Sequence, residues 1–257
     1  MRSLSLLSFS LLLVVPAFSQ SAHFLYSGTG ATPASIQGEV ERFRQDLGVL
    51  NANEAKSFTG GRREINWDGV GGTQGNDNLP VDFFHKTSPR GLLLATPGMR
   101  LKVSGDSSSP SFLMKDVTRD EWGLIEFGPF SSEKFFAPIG STITDIEFRI
   151  PGTDDVACVA AFGAVFMDID RGGQSFMVVR LTDGSERKFV AAVQPIRSKG
   201  LSFLGVRFQN ACIASVLLNS GDHPVDTPDI PVPLPDGVGL DDFIYSEPVP
   251  LVRKFEY

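Results

Sequence analysis

From Asn51 onward the chain is written in short apolar segments, each cut off by Gly, Pro, Ser or Asp. Short strands recurring about every ten residues indicate a sandwich or jelly roll rather than an α/β fold. The candidate strands are Arg63–Trp67, Met99–Val103, Trp122–Phe127, Ile143–Ile150, Val156–Ile169, Ser175–Leu181, Arg187–Val193, Phe203–Phe208, Cys212–Leu218 and Asp242–Ser246. In the fourth, Ile146, Phe148 and Ile150 alternate with Asp145, Glu147 and Arg149, the pattern of a sheet wet on one face. In the fifth, Cys158, Phe162 and Phe166 stand opposite Val159, Val165 and Met167, so both faces are apolar and a central, doubly covered strand is expected. Thr182-Asp183-Gly184-Ser185 carries the Asp-Gly signal of a tight hairpin. The predicted fold is mainly β, a two-sheet jelly-roll-like sandwich.

One helix precedes the strands. Thr32-Pro33 supplies an N-cap and a proline at the first helical position, and Gly48 closes the other end. Ile36, Val40, Phe43 and Leu47 form an apolar stripe, with Gln37, Glu41, Arg44 and Gln45 on the opposite face. Packing against the sandwich is the expected use of that stripe. Two irregular stretches, Gly69 to Asn78 and the Pro/Asp-rich Asp222 to Gly239, interrupt the strand pattern and are expected to be loops.

Residues 1–19 read as a signal peptide: Arg2, an apolar run from Leu4 to Val15, Pro16, then Ala17-Phe18-Ser19, with cleavage expected before Gln20. The run is shorter than the ~20 residues of a membrane span. The expected organisation is therefore a signal over 1–19, a helix and lead-in over 20–60, a β-sandwich over 61–250 and a tail over 251–257. Export to the periplasm or medium is expected, with no membrane span after cleavage. The net charge of −7, without a large Lys/Arg cluster, disfavours nucleic acid as a partner. With 21 Phe but only 3 Tyr and 2 Trp, any sugar-stacking platform is expected to be small. Cys158 and Cys212 are open to two readings, a disulfide permitted by an oxidising compartment or two buried thiols.

Catalytic patterns are sparse. His23, His85 and His223 lack the converging partners of a triad, and zinc-ligand spacings are absent. Asp168-Ile169-Asp170-Arg171-Gly172-Gly173 starts like an EF-hand loop, yet Gly172 takes a ligand position and Val179 replaces the closing Glu. A polar turn is the reading for Asp168 and Asp170. The string Gly61 to Val70 places Arg63, Ile65 and Trp67 on one side and Glu64, Asn66 and Asp68 on the other. So much polarity in a core needs partners. Either the string is a buried hydrogen-bonded network, or Arg63, Glu64, Asn66, Trp67 and Asp68 line a ligand site.

Several segments resemble a group of secreted bacterial proteins, some of which carry a C-terminal PEP-CTERM sorting anchor. They are Gly61 to Val70, Phe83-Phe84, Ser88-Pro89-Arg90-Gly91, Phe162 to Asp170, Leu201 to Val206, and Asp241 to Pro248. The resemblance implies export and a β-sandwich, and no activity. The chain ends Val252-Arg253-Lys254-Phe255-Glu256-Tyr257 without the Pro-Glu-Pro signal, so release rather than anchoring is expected. Asp241-Asp242-Phe243-Ile244-Tyr245 also resembles the closing strand of jelly-roll carbohydrate-binding modules. That likeness implies a structural Ca²⁺ with Asp241 or Asp242 as ligand and Glu64 or Asp68 as partner.

The leading functional expectation is a non-catalytic extracellular binding or surface-associated protein, for a glycan or a cell-surface component. The alternatives are an extracellular polysaccharide hydrolase, with Glu64 and Asp68 as acid and base, and a purely structural envelope or matrix protein.

Overall fold

A computed structural model describes residues 22–71, 76, 78–105, 127–194, 200–226 and 236–251. The expected signal segment 1–19, most of the expected strand at 122–127, part of each long loop and the end of the tail lie outside these residues. The strands in chain order are β1 (His23–Gly30), β2 (Arg62–Ile65), β3 (Leu92–Ala95), β4 (Arg100–Val103), β5 (Phe136–Ile139), β6 (Ile143–Arg149) and β7 (Val156–Cys158). They continue with β8 (Ala161–Met167), β9 (Phe176–Leu181), β10 (Glu186–Val190), β11 (Leu201–Phe208), β12 (Ile213–Asn219), β13 (Gly239–Ser246) and β14 (Val249–Pro250). The one α-helix among the described residues is α1 (Pro33–Leu47).

These strands form two antiparallel seven-stranded sheets, a β-sandwich as expected. The first runs β1-β11-β8-β13-β5-β4, with β2 also paired to β13; the second runs β10-β9-β12-β6-β7-β14, with β3 also paired to β6. Between the sheets lies one apolar layer, including Ile65, Trp67, Phe136, Phe148, Phe162 and Phe243. A second layer lies between the first sheet and α1, where Ile36, Val40, Phe43 and Leu47 meet Tyr26, Val165, Phe203 and Ile244. Burying each of those four helical side chains is worth roughly 2 kcal/mol, which fixes α1 to the sheet.

The two layers explain why β8 is buried along its whole length. Phe162, Ala164 and Phe166 enter the inter-sheet layer, while Ala161, Val165 and Met167 face the helix layer. Gly163 of β8 sits opposite Gly205 of β11. A Cβ at Gly163 would lie 2.9 Å from Phe43 Cε1 and 3.0 Å from Phe203 Cζ, so the glycine makes room for the helix's aromatic ring.

The sequence reading of Val156–Ile169 as one strand is corrected. After β7 the chain makes one more bridge, Val159 to Ile213, then leaves the second sheet at Ala160 and enters the first as β8. Both pieces are apolar on both faces, so periodicity alone does not register the crossing. Close by, Cys158 and Cys212 form a disulfide with Cα atoms 5.6 Å apart. It ties the end of β7 to the start of β12.

Candidate functional site: a cleft beside Trp67

Strand β2 ends at Ile65, and the chain then turns through Asn66 to Val70. Trp67 adopts a left-handed backbone with φ of 67°. That conformation is costly for a bulky residue. It is held by packing: the indole stacks on Phe136 at 4.5 Å between ring centroids and meets Phe243 and Phe84 edge-on at 5.0 and 5.5 Å. The indole Nε1 is buried and has no hydrogen-bond acceptor.

Facing this turn is the segment Phe83–Thr87, a π-helical turn closed by a hydrogen bond from Ser88 N to Phe83 O of 2.8 Å. Single π turns are uncommon and recur at functional positions. The two segments enclose a cleft of about 210 Å³, with Ile65, Trp67, Val70, Phe83 and Phe84 as apolar lining. Asn66, Thr87, Ser88 and Arg90 supply its polar groups. This volume lies below the ~300–1,000 Å³ usual for whole drug-sized ligands, and suits one small ring or the end of a chain. His85 and Lys86 project instead to a wider, open groove with Val81, Asp82, Leu93, Arg149 and Asp154.

Of the five ligand candidates read from the sequence, only Asn66 and Trp67 line the cleft. Arg63 is fully buried in an ion pair with Glu247, donating from Nε and Nη2 over 2.6 and 2.9 Å. Its remaining N–H groups reach the carbonyls of Ala52, Lys56 and Pro89. Glu247 also accepts from Asn51 Nδ2 and Phe58 N. Asp68 accepts from Lys134 N and Asn66 Nδ2, and burial raises its pKa above the ordinary carboxylate value.

Glu64 leaves the other face of β2 and meets α1. Arg44 Nε and Nη2 donate to its two oxygens over 3.0 and 2.8 Å, and Arg62 Nε donates as well. Arg44 reaches Asp242 at 3.2 Å and Glu41 at 2.9 Å. The polar face of the helix is therefore partly a clamp onto β2 and β13, rather than simply the side opposite its apolar stripe.

Asp241 and Asp242 lie beneath this clamp. Asp241 is fully buried and accepts from the backbone N–H groups of Phe130, Ser131 and Asp242, and from the Ser131 hydroxyl. Burial, reinforced by the neighbouring Asp242 charge, pushes its pKa well up. Burial likewise lifts Asp242 to about 6, against the opposing pull of Ser131 and Arg44. Calcium asks for six to eight oxygens. Here the oxygens of Glu64 and Asp241 and one of Asp242 already accept from N–H or O–H groups, and only Asp242 Oδ1 is left without a partner. Among the described residues no group of three or more Asp, Glu, His or Cys side chains is arranged to hold a metal ion.

Asp236 forms a further buried carboxylate, accepting from Asp170 N and Arg171 N, and burial raises it to about 6. Beside it Asp222 accepts from Asp236 N and Arg171 Nη1 and bonds the His223 ring. These contacts pin both ends of the Pro/Asp-rich loop to the turn after β8, and give Asp170 its place there.

Thr87, Ser88 and Arg90 were not marked as site residues by sequence reasoning. The segment Ser88-Pro89-Arg90-Gly91 meets Gly61–Val70 and Phe83-Phe84 at this cleft. No family model, curated protein or solved structure matches the chain. No helix of the described residues is long and apolar enough to cross a membrane.

Proposed function

We propose that the chain is an exported, non-catalytic binding protein whose cleft beside Trp67 takes one small polar unit, such as a terminal sugar of a glycan. The observation that carries this reading is the unpartnered indole N–H of a strained tryptophan lining a cleft with a polar rim. A buried donor without an acceptor costs about 1–3 kcal/mol, and strain of this kind is found at ligand sites. Phe83, the partly exposed ring of the lining, offers an apolar surface to a sugar ring, and Asn66, Thr87 and Ser88 offer hydroxyl-matching groups. Export rests on the signal-like N-terminus and agrees with the disulfide.

The hydrolase alternative gains nothing from the geometry, because Glu64 is engaged by Arg44 and Arg62 instead of lining the cleft. The test is a screen of the mature protein against mono- and oligosaccharides, with Asn66→Ala and Ser88→Ala variants. Saturable binding that weakens at least fivefold in either variant is expected. Binding that both variants leave unchanged, or none at millimolar sugar, overturns the assignment.

A further inference from the structure

We infer that the unit bound in the cleft carries an anionic group, which pairs with Arg90. This rests on the binding reading above and names the chemistry of the ligand. Arg90 lines the cleft and is half-buried. Its Nε donates to Glu64 O over 2.9 Å, its Nη1 donates to Ser88 Oγ, and its guanidinium lies 5.5 Å from the Phe84 ring centroid.

None of these partners is a carboxylate. By contrast Arg44, Arg62, Arg63, Arg149 and Arg171 each lie against an acid. Among the described residues Arg90 has no ion pair, and its Nη2 donates no hydrogen bond. Burial is the main influence lowering its pKa; Tyr245 opposes it and the Arg63 charge adds to it, whereas the acid-paired Arg44 is raised. A partly desolvated guanidinium without a counter-charge is less well solvated than a surface one. An incoming anion would supply that counter-charge, and a carboxylate or sulfate ester matches the fork of N–H groups.

The net charge of −7 opposes this at long range. At 0.15 M salt such repulsion is screened beyond about 8 Å, whereas a contact pair inside a cleft is screened far less. Short-range pairing therefore decides affinity. The aromatic lining then holds the ring and the guanidinium holds its charge, which fits a uronic acid or a sulfated sugar.

Calorimetric titration of the mature protein with D-glucuronate, its methyl ester, D-glucose and glucose 6-sulfate tests this. The ester keeps the ring and removes the charge, so the comparison needs no variant. The inference expects the free acid or the sulfate to bind at least tenfold tighter than ester and glucose, with an affinity that falls as NaCl rises. Whichever anion is tighter identifies the group. Arg90→Gln should abolish that preference, with the melting curve checking its fold; Arg90→Lys should keep part of it. Equal binding of acid and ester would overturn the anionic assignment while leaving the cleft reading intact. No binding of any of the four, together with a negative general sugar screen, would remove both.

Discussion

Replacing Glu247 by Gln tests whether the polar string at Gly61–Val70 is held by the buried pair it forms with the chain end. Glu247 takes two charged hydrogen bonds from Arg63, one from Asn51 and one from the Phe58 backbone, and both charged side chains are essentially without solvent. Removing one partner of such a pair costs about 3–5 kcal/mol, chiefly because the other charge stays buried. Glutamine keeps one acceptor oxygen, so the low end, about 3 kcal/mol, is expected. For a chain of this size, that corresponds to a Tm lower by about 6–12 °C. Glu147→Gln is the control, because its ion pair with Arg149 is solvent-exposed on the glutamate side and worth at most about 1 kcal/mol. Urea and thermal unfolding at pH 7 read both. Equal, small losses for the two variants would refute the view that Arg63 depends on Glu247.

Three further outcomes follow from the same contacts. Replacing Cys158 and Cys212 by Ala releases a 54-residue separation, which in the chain-entropy model is about 4 kcal/mol; Tm should fall by roughly 10 °C, and a fall under 3 °C would contradict the estimate. Asp236 and Asp242 titrate near 6 when folded, above their unfolded values, so their stabilising effect is present at low pH and is lost as pH rises through 6. Melts should therefore show greater stability at pH 5 than at pH 7.5, by about 1 kcal/mol from Asp242 alone. Below pH 4 the trend reverses as Asp222 is protonated: burial pushes its pKa up, but Asp236 N, His223 and Arg171 hold it lower. Melts in calcium and in EDTA should coincide, because Arg44 already occupies the space between Glu64 and Asp242. A drop of several degrees on chelation would instead place calcium at Asp241 and Asp242, with Arg44 displaced.

Legibility in the sequence followed the range of the forces. The stripe of α1 and the alternation of β6 are local patterns enforced by one buried face, and both appear where periodicity put them. β1 was missed because its burial does not alternate; it becomes a strand by pairing along its length with β11. β3 and β5 are short and apolar throughout, Leu92–Ala95 and Phe136–Ile139, so no alternation marks them as strands. The Gly61–Val70 string offered two readings, and the structure divides them by residue: Arg63 and Glu64 enter networks, while Asn66 and Trp67 turn to the cleft. Glu247 and Arg44, the partners that decide this, lie about 184 and 20 residues away, and no local pattern reports such a distance. The cleft's other wall is a π turn, for which Phe83–Thr87 carries no distinctive spacing.

The central claim, that the cleft beside Trp67 binds a ligand, is tested most directly by the indole resonances. The chain has two tryptophans, and Trp122→Phe leaves Trp67 as the single ¹⁵N-indole signal. Titrating that protein with the tightest sugar from the screen should move the peak saturably, with a Kd equal to the calorimetric value. A sugar that binds by calorimetry while the Trp67 indole signal stays fixed would show that the ligand sits elsewhere and contradict the account.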